Sequence, residues 1–262
     1  MRLNRNISLL LAKCRNNDPS PVSQQAIPSS TVRLMAEVCY SAADVTTHAV
    51  GALGVVAFFF MLRVGEYTPP NGPRPTRTVQ LRKGDVRLWQ TGEAMNLEAP
   101  WAELNTADAV TIKLENQKNG QRGTTLHHHE SGHPIMCPVR AMVRLVYGLQ
   151  GLPPTSALGT HRMTDGSLRQ VQSSQMRAAV RLAAELDGLE SRGYDLNRVG
   201  NHSLRSGGAT ALKLAGYDSD MIKKLGRWSS NTYLTYIQSQ IAQLTENVAS
   251  RMGRHLTFQN VG

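Results

Sequence analysis

Two short segments, "NHSLRSGG" (201–208) and "GRWSSNTYLTYI" (226–237), hold the side chains best suited to chemistry on an anion. His202 and Arg205 stand three apart at the expected start of a helix, so both leave one face near its amino terminus. The helix dipole, the terminal backbone N–H groups and a guanidinium fork all suit a phosphate there. Taken alone, the pair reads equally as an ordinary structural contact. Downstream come Trp228 and two tyrosines, Tyr233 and Tyr236, three apart on one expected helix. Either tyrosine is a candidate nucleophile, and Tyr233 can instead fill a helix interface. Far upstream, Arg63 and Glu66 close an apolar segment, where charge is costly unless it is used.

These residues need elements to position them. The stretch Ala49 to Leu62 is apolar on every face, yet shorter than the roughly 18 residues of a membrane span, so it reads as a helix in the centre of a core. "STVRLMAEVC" is a second helix before it. "TVQLRKGDVRLW" and "AVTIKLENQKNGQRGTTLHHH" alternate apolar and polar residues about turns at Lys83-Gly84-Asp85 and Asn119-Gly120, predicting a three-stranded antiparallel sheet with Lys118 in a hairpin turn. "QTGEAMNLEAPWAELNTAD" reads as a surface insertion. "CPVRAMVRLVYGL" starts a helix with proline in its first turn, and Ser167 to Leu186 is an amphipathic helix. Ser203 is placed to cap Leu204–Leu214, with Gly216 ending it. Asp218 or Ser219 caps the next helix, which stops at Gly226. The fold class is mainly α with one small antiparallel sheet (α+β). Residues 1–30 are a tail or linker, 31–240 one folded domain, and 241–262 a terminal helix or tail.

The balance of charge narrows the partner. Among 262 residues, Lys and Arg number 29 against 19 Asp and Glu, a net charge of +10, which favours a polyanion and nucleic acid first. The basic residues are scattered, as on a folded surface, and form no tail-like run. Cys14, Cys39 and Cys137 are odd in number and lack a CxxC pair, as in a reduced intracellular chain. No secretory signal is read in the opening residues. His127, His128, His129, His133 and Cys137 lie close together, but a strand turns alternate residues to opposite faces; they read as a polar strand end and loop and not as a zinc site.

In chain order the set is Arg63, Glu66, Lys118, His202, Arg205, Trp228 and Tyr236. That order, with the wording "MLRVGE", "HSLRSGGAT", "LAGY" and "LGRWSS", resembles the tyrosine recombinase (phage integrase) catalytic domain over roughly residues 31–240. Tryptophan at 228 and the "GRWSS" phrasing are most similar to the eukaryotic transposon-borne (DIRS- and Crypton-type) branch. Tyr236 lies eight residues after Trp228 and Tyr233 only five; the longer spacing is the one that resembles the family, though slightly short of it. The family's amino-terminal core-binding domain is expected to be missing or reduced to a remnant within residues 1–30.

The resemblance implies DNA cutting and rejoining through a covalent 3′-phosphotyrosine, with no metal and no cofactor. Such chemistry needs a nucleophile, cationic stabilisation of a phosphorane-like transition state and an acid for the leaving 5′ oxygen. Tyr236 is the expected nucleophile. Arg63 and Arg205 face the non-bridging oxygens, His202 donates to the same oxygens or acts as base, and Lys118 is the general acid. Trp228 buttresses the tyrosine helix and donates its N–H to a phosphate oxygen, and Glu66 orients Arg63 or His202. The implied partner is double-stranded DNA, bound as a homo-tetramer, with a monomer as one option for the free protein, and with residues 241–262 exchanged between protomers or packed in cis. Integration or excision of a mobile element is the implied task, in the nucleus of a eukaryote or otherwise in the cytoplasm or nucleoid, with no membrane partner. A type IB topoisomerase and a non-cutting DNA-binding remnant are the alternatives.

Overall fold

The structure is a computed structural model that describes residues 24–70, 78–116 and 122–237. At its centre is α2 (Val45–Phe59), in which every residue from Val50 to Phe58 is buried, as a helix without a polar face requires. Asp44 starts it by accepting a hydrogen bond from Thr47 N at 2.8 Å. The preceding α1 (Ser29–Ser41) lies along it. A four-residue α3 (Trp101–Leu104) precedes α4 (Pro138–Gly148), which packs on α2 together with α5 (Ser173–Leu186) and α6 (Asn201–Leu214). The helix α7 (Ser219–Gly226) and the short α8 (Leu234–Ile237) follow and lean on α6.

The sheet covers the other side of α4. Its strands β1 (Val86–Gln90), β2 (Glu93–Ala94), β3 (Ala109–Asn116) and β4 (Arg122–His129) lie in the order β2-β1-β3-β4, all antiparallel. Ile112 stands opposite both Val86 and Leu126, so one buried row crosses three strands on the core face. Four strands replace the three expected. The extra one arises in the supposed insertion, where Thr91 (φ 48°) and Gly92 (φ 84°) form a two-residue loop with both φ positive, the turn whose twist suits a hairpin. Thr-Gly is a weaker signal for that turn than Asn-Gly.

A second, two-stranded sheet, β5 (Thr160–Arg162) with β6 (Leu168–Gln170), was also not expected. Asp165 Oδ1 accepts from Ser167 N at 2.9 Å and Gly166 takes a φ of 82°, so the chain turns back before the helix can start. As a result α5 begins at Ser173, not Ser167. α6 moves the opposite way, beginning at Asn201, ahead of the expected Leu204. Ser203 works from inside the first turn, its Oγ accepting from Gly200 N at 3.0 Å. The expected ends hold for α7, where Asp218 Oδ1 accepts from Met221 N at 2.7 Å. Residues 24–28, assigned above to the tail, pack on the body: Ala26 and Ile27 are buried, and Gln25 N donates to Arg198 O. No described helix is long and apolar enough to cross a membrane.

Candidate active site

The site is built on two helix ends that face each other. At the end of α2, Leu62 N bonds to Ala57 O and Met61 N to Phe58 O, a Schellman turn that leaves Met61 left-handed at φ 46°. α7 ends the same way, with Trp228 N on Lys223 O, Arg227 N on Lys224 O and Arg227 at φ 59°. Glycine suits both positions best; a β-carbon there costs about 1–2 kcal/mol. Two side chains are therefore held at strained positions where the turns meet.

Beyond Met61 the chain enters a 3-10 turn, Val64–Glu66. Glu66 is fully buried and folds back on Arg63, its Oε2 accepting from Arg63 N at 2.8 Å and its Oε1 from Arg63 Nη1 at 3.0 Å. The same Oε2 accepts from Arg227 Nη2 at 2.8 Å. Arg227, 3% exposed, also donates from Nη1 to Phe60 O at 2.9 Å and from Nη2 to Met61 O at 3.0 Å. Arg205, on α6, is 1% exposed and donates from Nη1 to Met61 O and from Nη2 to Gly226 O. The Trp228 ring lies over it, 4.3 Å from the guanidinium carbon. A desolvated cation–π contact of this kind is worth about 2 kcal/mol.

These contacts join Arg63, Glu66, Arg205 and Trp228, residues up to 165 positions apart, into one cluster. Among the described residues, the contacts set the guanidiniums of Arg63, Arg205 and Arg227 around the carboxylate of Glu66. Burial pulls the Arg227 pKa down and the neighbouring Glu66 carboxylate opposes it. A guanidinium fork of this kind suits the paired oxygens of a phosphate.

The remaining expected residues divide. His202 is half-buried in the first turn of α6, its backbone N–H bonded to Gln24 Oε1 at 2.8 Å. Tyr233 is fully buried with Met61, Ala209, Ile222 and Ile237, and its ring meets Trp228 at 5.8 Å; it fills a helix interface, the packing role weighed for it. The backbone of Tyr236 lies in α8, and its side chain is outside the described residues, as are Lys118 and the segment 241–262. The sequence reading missed Met61 and Arg227. Arg227 carries a signal in retrospect, an arginine directly after the helix-ending Gly226 and before Trp228.

The histidine cluster is divided by the strand. His127 shares a hydrogen bond with Thr111 Oγ1 at 2.8 Å and meets His129 edge-on at 4.8 Å. His128 points the other way, against Phe59 and Phe60, and shares a hydrogen bond with Phe59 O at 3.0 Å. Among the described residues no group of three His, Cys, Asp or Glu is placed to hold a metal ion. Burial holds the His128 pKa below its usual 6.5. Because the unfolded chain takes up that proton first, stability is full above pH 6.5 and falls as the pH drops toward the folded value. Urea midpoints between pH 7.5 and 5 are expected to decline more steeply in wild type than in His128→Phe, with a ceiling of about 1.4 kcal/mol per pH unit; parallel profiles count against this.

No family model matches the chain, and no curated protein matches it. Solved structures do. One is the XerH site-specific recombinase bound to a palindromic difH substrate in a post-cleavage complex, with a TM-score of 0.54 at 15% identity over 86% of this chain and 53% of that one. Another is the XerA recombinase, with a TM-score of 0.52 at 15% identity over 98% of this chain and 78% of that one. The chain thus spans about half the length of the XerH recombinase. Its mainly helical body and antiparallel sheet have the fold seen in these recombinases.

Proposed function

We propose that the protein is a DNA recombinase that cuts and rejoins strands through Tyr236 without a metal ion. The observation that carries this reading is the convergence of Arg63 and Arg205 on the Met61 turn, linked by Glu66 and Arg227, beside the helix that bears Tyr236. In the reaction, the Tyr236 oxygen bonds to phosphorus as the P–O5′ bond breaks. The tyrosine proton passes to His202, and the leaving 5′ oxygen takes one from Lys118. Arg63 and Arg205 neutralise the non-bridging oxygens, where such groups are typically worth several kcal/mol. Religation reverses these steps on a second strand. The Arg205 guanidinium is closed to solvent in the free protein, so a phosphate reaches it only when the groups covering it shift.

The same reading assigns the protein to the transposon-borne branch, from Trp228 and "GRWSS", with assembly as a tetramer on element ends and exchange of the 241–262 segment. Mixing the protein with a nicked duplex of its element's terminal sequence, in excess chelator, is expected to yield a denaturant-resistant protein–DNA adduct. Tyr236→Phe is expected to abolish it and Tyr233→Phe to retain it. No adduct from wild type, or one that persists in Tyr236→Phe, overturns the proposal.

A further inference from the structure

We infer that Arg227 is a positioning residue that fixes both phosphate-facing arginines, Arg63 and Arg205; this rests on the reading of the site just given. Arg227 is buried, and its two terminal nitrogens are directed at the Phe60 and Met61 carbonyls and the Glu66 carboxylate. It therefore acts on the reaction through other groups. One path runs through Glu66, which binds Arg63 at both its backbone N–H and its Nη1. The other runs through the Met61 carbonyl, which accepts from Arg205 as well as Arg227. A single planar guanidinium thus sets the carboxylate that aims one arginine and the carbonyl that anchors the other.

The backbone gives an independent argument. Residue 227 occupies the left-handed position of a Schellman turn, at φ 59°, where glycine would relieve strain and end α7 equally well. A long side chain at this position works against the turn, so its value lies in what its far end holds. Lysine cannot replace it: an ammonium is a point charge on a flexible stem and does not bridge a carboxylate and two carbonyls in one plane. The alternative role, a clamp that merely ties α7 to α2, predicts that any loss of activity follows loss of fold.

The test compares wild type, Arg227→Lys and Arg227→Gly. Arg227→Lys keeps a charge beside Glu66, and Arg227→Gly keeps the turn. Adduct formation on the nicked duplex is expected to slow about 100-fold in both, with duplex affinity unchanged, and methylguanidinium is expected to restore part of the rate in Arg227→Gly. In 15N spectra, the Nε–H signals of Arg63 and Arg205 are expected to broaden or shift in Arg227→Lys while the amide signals of β1, β3 and α5 stay in place. Wild-type rates in both variants overturn the inference, and so do unmoved Nε–H signals or a rate loss matched by collapse of the amide spectrum. If wild type itself forms no adduct, the recombinase reading fails, and the Nε–H signals alone decide the role of Arg227.

Discussion

Gly208→Ala is expected to destabilise the protein by about 3 kcal/mol or more, the upper end of what overpacking a filled interior costs. α6 crosses α2 so closely that a β-carbon on Gly208 would stand 2.3 Å from the Phe58 carbonyl oxygen and 2.9 Å from Met61 Cγ. The first of these is backbone, which has no rotamer through which to yield. Relief requires α6 to move off α2, and that movement draws Arg205 away from the Met61 carbonyl. Gly207→Ala meets the Ile27 carbonyl oxygen at 2.4 Å and should act similarly. Gly148→Ala, with open space around it, serves as the control. Urea unfolding measures the effect; a Gly208→Ala midpoint equal to that of Gly148→Ala contradicts the close crossing.

Glu66→Gln is expected to cost a further large sum, about 3–5 kcal/mol, because it leaves a buried guanidinium without its counter-charge. Glu66 is fully buried and Arg227 nearly so. The carboxylate accepts from Arg63 N, Arg63 Nη1 and Arg227 Nη2 through its two oxygens. A carboxamide offers one oxygen and turns an N–H₂ toward a cation. Arg63, 22% exposed at its side chain, can regain water, whereas Arg227 cannot, so the penalty centres on Arg227. Removing both charges, in Glu66→Gln with Arg227→Met, is expected to recover much of the melting temperature, since replacing an intact buried pair is often neutral. Adduct formation should stay low in the double variant, because Arg63 still lacks its anchor. Recovery of rate together with stability would mean that the pair matters only to the fold.

Much of this was written locally in the chain. The all-apolar run of α2 dictates a central helix, and Asp218 and Gly216 set helix limits through bonds within a few residues. The types of Arg63, Glu66, Arg205 and Trp228 and their places near helix ends were legible as well, because both are local properties. The β2 and β5–β6 hairpins were harder to read, since each depends on one short turn outweighing the pattern around it. Tertiary packing alone decided the rest. Spacing ranked Tyr233 below Tyr236, but only the packing of Met61, Ala209, Ile222 and Ile237 around it puts Tyr233 in the interior. Nothing near Met61 announces that its carbonyl will take two guanidiniums, and nothing near Arg227 names Glu66, 161 residues away, as its partner. The sequence by itself determined which groups were present and which helix ends carried them. The meeting of the α2 and α7 turns determined how those groups are aimed, because hydrogen-bond direction depends on the relative placement of elements that share no local sequence.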